Sequence, residues 1–134
     1  MIGSVSKEVL EAMLETIPIE FSVVDENDDV LAWNRHETRI FKRPEAVVGR
    51  NVRNCHPEKS LDKVKAILAE MKAGTRDEAS FWIDLPIGEE GRKEKVLIQY
   101  FALRGKDGQY LGCIECSQNI AEIQAFSGEN RLLN

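Results

Sequence analysis

The sequence predicts an α+β domain: a five-stranded antiparallel sheet, covered on one face by short helices and one long helix, with an amphipathic helix in front. Three observations predict it. Two short apolar runs flank an acidic turn near the start. A clear helical stripe occupies the middle of the chain. Three alternating or apolar segments separated by Gly-containing turns fill most of the second half.

The elements follow in order. Val9, Leu10, Met13, Leu14 and Ile17 recur at helical spacing from Ser6 to Thr16, and Pro18 ends that helix. Phe21 to Val24 and Val30 to Trp33 read as strands joined by Asp25-Glu26-Asn27-Asp28-Asp29, which is turn chemistry. Asn34 is expected to cap a short helix through Phe41. Pro44 is expected in the first turn of another, stopped at Gly49. Leu61, Val64, Ile67, Leu68 and Met71 form the long helix, with Ser60 as N-cap and Gly74 just past its end. Beyond Arg76, the alternation of Ala79, Phe81, Ile83 and Leu85 opens a meander. It continues through Val96–Arg104 and Tyr110–Gln118. Ile120, Ile123 and Phe126 give the tail a helical spacing that Gly128 interrupts. The expected organisation is a flanking helix at 1–18, a core domain at 19–120 and a tail at 121–134.

Composition narrows the function classes. The 134 residues suit one domain with a real core, and 43% hydrophobic with 31% charged residues is an ordinary globular balance. A net charge of −5, with its cations scattered among acids, argues against nucleic acid as a partner. No apolar run approaches the roughly 20 residues that span a bilayer, and no signal-peptide pattern opens the chain. Three cysteines do not suggest a disulfide framework, so a cytoplasmic location without membrane contact is expected.

The candidate chemistry is sparse. Cys55-His56 is the one place where a thiol and an imidazole are neighbours, but adjacent side chains diverge and make a poor nucleophile–base pair. Pro57 biases His56 towards an extended backbone, which suits a turn into the long helix. Cys113 and Cys116 are three apart on a strand and therefore face opposite ways, which does not suit a metal site and suits small packing residues. The acidic turn has Val30 and His36 where a calcium loop needs Gly and Glu. Trp33, Arg35, Phe41, Arg43 and Arg50 gather around the centre, and an arginine inside a pocket there would favour a carboxylate or phosphate. Trp82 falls on the opposite strand face from Phe81 and Ile83.

IPIEFSVVDENDDVLAWN, EAVVGRNVRNCHPEKSLDKVKAIL and YLGCIECSQNIAEI, in that order, resemble the PAS domain family of sensor modules from about Leu10 to Ile123. Phe41-Lys42-Arg43-Pro44, Gly49-Arg50, Cys55-His56-Pro57 with Ser60, Phe81-Trp82-Ile83 and, loosely, Tyr100-Phe101 are similar to PAS domains attached to hemerythrin-like domains in bacterial and archaeal proteins. Asn119 stands where the family usually has aspartate. The resemblance implies a non-enzymatic module that binds a small molecule or cofactor, or simply dimerises, and passes a conformational change to a partner. It places the ligand pocket among Trp33, Arg35, Phe41, Cys55, His56, Phe81 and Tyr100. It leaves three readings open: a ligand-binding sensor, a ligand-free dimerisation module, and a haem sensor with His56 as axial ligand. The apolar stripes at both ends favour a homodimer using the N-terminal helix.

Overall fold

The computed structural model describes residues 2–35, 37–42, 49, 51 and 58–132, with residues 58–60 described in backbone only. Helix α1 (Lys7–Thr16) is followed by strands β1 (Glu20–Asp25) and β2 (Val30–Trp33), helix α2 (Glu58–Lys72), and strands β3 (Glu78–Leu85), β4 (Glu94–Arg104) and β5 (Tyr110–Asn119). A single helical turn, α3 (Ala121–Gln124), comes last. Ser6 caps α1 by accepting a hydrogen bond from the Val9 amide at 3.1 Å. The acidic turn is built on Asp25, whose Oδ1 accepts from the amides of Asn27 at 2.8 Å and Asp29 at 3.0 Å.

All five strands pair antiparallel in the order β2-β1-β5-β4-β3. The predicted hairpin and meander are therefore one sheet, sealed along β1–β5, the pair most distant in sequence. Gly112 makes that seam possible. It sits at φ +152° opposite Asp25, and a Cβ there would lie 2.1 Å from the Val24 carbonyl oxygen.

Two local expectations change. Asn34 does not cap a helix; its amide is buried and bonds across to β1 and α1, because a side chain held by three long-range partners cannot also serve a local turn. The helix α2 begins at Glu58, ahead of the Ser60 cap expected from sequence, so Ser60 lies inside its first turn. An acidic residue is favourable at that positive helix end. The Pro44 helix falls outside the described residues.

The core lies between α2 and one sheet face, here called the inner face. Val64, Leu68 and Met71 recur along one side of α2 and pack on Val24, Val30, Trp33, Val96, Ile98, Tyr100 and Cys113. The C-terminal end of α2 is clasped from two sides. Lys72 Nζ meets Asp28 Oδ2 at 2.7 Å, and Arg104 donates to the Met71 carbonyl at 2.7 Å. Gly74, at φ +79°, then turns the chain out of the helix. No helix among the described residues is long and apolar enough to cross a membrane.

Candidate functional site

Strand register decides what lies beneath α2. On β1 the inward residues are Glu20, Ser22 and Val24, and on β5 they are Cys113, Glu115 and Ser117. Ser22 lies opposite Trp33 on one side and Glu115 on the other; Glu115 faces Tyr100, and Tyr100 faces Ala79. The next row runs Glu20, Ser117, Ile98, Phe81. Polar side chains thus cross the middle of the core-facing sheet. This patch is the candidate site.

One end of the patch is held by a buried ion pair. Arg39 Nη2 lies 3.6 Å from Glu20 Oε2, with both side chains less than 5% exposed. The Glu20 carboxylate also accepts from the amides of Ile40 at 2.5 Å and Phe41 at 3.2 Å. Arg39 donates to Phe41 O, Phe21 O, Asn34 O and Ser22 Oγ, and its guanidinium stands 5.6 Å from the centre of the Trp33 ring. With its donors committed this way, Arg39 has little left to offer a ligand carboxylate or phosphate. At the other end the Tyr100 and Phe81 rings stack with centres 6.0 Å apart.

Between α2 and the sheet, Ser22, Val24, Val30, Val64, Leu68, Tyr100, Cys113 and Glu115 enclose a cavity of about 10 Å³. That is roughly the space of one water molecule. A larger, open hollow of about 390 Å³ is formed by Glu15, Arg35, Glu37 and Thr38 on the side of α1.

The residues picked out by sequence separate accordingly. Tyr100 lines the cavity, while Trp33 is buried in the adjoining core and Phe41 packs against it. Phe81 continues the aromatic floor towards the sheet edge and is 39% exposed. Arg35 turns away from the cavity and donates to the Ile17 carbonyl at 2.9 Å, beside α1. Cys55, His56, Arg43 and Arg50 lie outside the described residues. Sequence reasoning missed Glu20, Ser22, Arg39, Glu115 and Ser117. The available signal was the shared parity of Glu20-Ser22 and Glu115-Ser117 in two strands, readable only once those strands are known to pair.

The two described cysteines lie on opposite faces, Cys113 in the core and Cys116 opposite Phe21 and Gln99. Burial, aided by the Glu115 charge, pushes the Cys113 thiol up to about 12, and burial also pushes Tyr110 up to about 12. The unfolded chain releases these protons from about pH 8.5 for cysteine and pH 10 for tyrosine, while the folded chain keeps them to about pH 12. Their contribution to stability is therefore complete at lower pH and is lost as pH rises through that window. Urea titrations at pH 8 and pH 11 are expected to show a lower midpoint at pH 11. Cys113→Val is expected to flatten that dependence by up to about 1.4 kcal/mol per pH unit.

Comparison with known proteins matches residues 10–121 to a family described as PAS domain. The crystal structure of the C-terminal domain of a Streptococcus mutans protein is similar at 31% identity and a TM-score of 0.79, over 92% of this chain and 93% of that one. The PAS domain of Bordetella pertussis BvgS is similar at 18% identity and a TM-score of 0.61, over 87% and 90%. The Vibrio cholerae VqmA dimer, whose conformation shifts in the absence of target DNA, is similar at 16% identity and a TM-score of 0.61. That match covers 90% of this chain and 56% of VqmA. No curated protein matches significantly.

Proposed function

The chain belongs to the PAS domain family, and on that premise we infer that it takes a small molecule or cofactor against the inner sheet face and signals through contacts with a second copy or a downstream protein. PAS domains are sensory modules typical of signalling proteins. The observation that carries the ligand reading is the polar patch of Ser22, Glu115, Ser117 and Tyr100 beneath α2, in a face that packing alone would fill with apolar side chains. Val64 and Leu68 are the residues through which α2 lines the cavity.

The output reading is supported by uncovered apolar surface. In α1, Val9, Leu10 and Met13 are each about half exposed and no side chain is buried. On the outer sheet face Trp82 is 63% exposed. A homodimer that covers the α1 stripe removes such surface from water. The dimer of VqmA belongs to that protein, and it makes the same test informative here.

A second reading, a ligand-free dimerisation module, is favoured by the small size of the cavity among the described residues. We assign no catalytic step: the described thiols are kept protonated by burial, which suits packing better than nucleophilic attack. The net charge of −5 supports neither nucleic acid nor an acidic membrane surface as partner, and a cytoplasmic protein suits free cysteines. The motifs around Phe41-Lys42-Arg43-Pro44, Cys55-His56-Pro57 and Phe81-Trp82-Ile83 support kinship with the PAS domains joined to hemerythrin-like domains.

Native mass spectrometry of freshly purified protein tests these readings together. The expected result is a dimer with a small molecule retained in substoichiometric or full amount. A dimer with no retained molecule favours the ligand-free module, and a monomer at all concentrations overturns the output reading. A Soret band in the same preparation that is lost in His56→Ala would support haem on His56.

A further inference from the structure

The N-terminal helix is held to the domain in an unusual way. None of the ten residues of α1 is buried, so apolar packing contributes little to docking it. Hydrogen bonds from two consecutive residues after β2 fasten it instead. Asn34 Nδ2 donates to the Leu14 carbonyl at 2.6 Å and to Ile19 O, just past the helix, at 3.0 Å. The Arg35 amide donates to Glu15 Oε2 at 2.8 Å, and its guanidinium donates to Ile17 O. Arg35 adopts φ +57°, an uncommon conformation for a residue with a side chain, so the 34–35 backbone must be held in place by its neighbours.

Arg39 does that holding. Its Nη1 donates to Asn34 O at 2.7 Å and to Phe21 O at 3.2 Å, while Phe21 N donates back to Asn34 Oδ1 at 2.7 Å. The other end of the same guanidinium reaches Ser22 Oγ at 3.2 Å, and Ser22 is a wall of the cavity. A continuous line of hydrogen bonds therefore runs from the cavity through the buried Ser22, Arg39 and Asn34 to the part-buried helix carbonyl of Leu14. Asn34 is 1% exposed and Arg39 4% exposed, so water does not substitute for a broken link between Ser22, Arg39 and Asn34.

We propose that Arg39 and Asn34 form a latch through which the state of the cavity wall at Ser22 sets the docking of α1. A helix fastened by a few polar contacts and no buried side chain belongs to the low-stability part of a fold, where loss of one contact shifts the open population measurably. A hydroxyl that turns towards a cavity occupant, or a wall that moves outward, weakens the Arg39 contact and loosens the 34–35 backbone. The freed α1 stripe then changes what the domain offers a partner. The proposal rests on the sensory reading for its purpose, but the coupling itself needs no ligand.

Amide exchange followed by NMR separates the two. Ser22→Ala removes the acceptor for Arg39 Nη2 without touching α1, and is expected to speed exchange of the Leu10–Ile17 amides about two- to tenfold. Amides of β4 are expected to keep their wild-type rates, Ser22→Thr to restore α1 protection, and Ser80→Ala, which removes the acceptor of Gln99 on β3 away from the line, to leave α1 unchanged. Unchanged α1 rates in Ser22→Ala, an equal acceleration across β4, or wild-type α1 amides already exchanging at free-peptide rates would each overturn the latch. If α1 responds while native mass spectrometry finds no small molecule, the latch stands and the ligand reading falls. If a molecule is retained while α1 stays unresponsive, the ligand reading stands and the latch falls.

Discussion

Glu20→Ala is expected to destabilise the domain by about 3–5 kcal/mol, because it leaves the Arg39 guanidinium charged, buried and short of its counter-ion. The loss is compounded at the backbone, where the Ile40 and Phe41 amides both lose their acceptor. Glu20→Gln keeps one carbonyl oxygen for those amides and is expected to lose less. Replacing both partners, as Glu20→Leu with Arg39→Met, is expected to cost well under the sum of the single changes, since no orphaned charge remains. Urea unfolding of these variants and the single changes checks this. A Glu20→Ala loss below about 1 kcal/mol would show that the pair is solvated and contributes like a surface ion pair.

The second large effect belongs to Gly112. Gly112→Ala puts a methyl group 2.1 Å from the Val24 carbonyl oxygen and 3.1 Å from its carbon, in a backbone conformation that side chains rarely adopt. The obstacle is strand backbone, which cannot rotate away as a side chain can. Backbone strain of about 1–3 kcal/mol and overpacking of similar size add to a loss of about 3 kcal/mol or more. The damage is expected at the β1–β5 seam that joins the hairpin to the meander. Gly108→Ala is the control: it also has a positive φ, +82°, but nothing within 4 Å of the added carbon, and about 1–2 kcal/mol is expected. Thermal and urea unfolding measure both. Equal losses would mean that conformation alone matters and that β1 yields to the methyl group.

Element types were legible because their signals are local. The stripe Val64, Leu68, Met71 names a helix whatever lies beside it, and Asp25 organises its turn with its own carboxylate. Asn34 illustrates the limit. Its residue type suits a helix cap, yet three partners in α1, β1 and the link between them win its amide group. The site was less legible for a related reason. In Glu20-Phe21-Ser22-Val23-Val24 both parities contain apolar residues, so alternation does not say which set turns inward. The polar set does, with Glu20 buried against Arg39 and Ser22 against the cavity wall, because the pairing of β1 with both β2 and β5 sets the register.

The sequence by itself determined the five strands and their order in the chain, the flanking helix, the long helix and the resemblance to a family, all of which depend on periodicity and on turn chemistry within a few residues. Only the tertiary structure decided the strand order, the inward set of β1 and β5, the Glu20–Arg39 pair and the tie from Asn34 to α1. Those depend on contacts between residues brought together by folding, and no local pattern specifies which distant backbone will supply the partner.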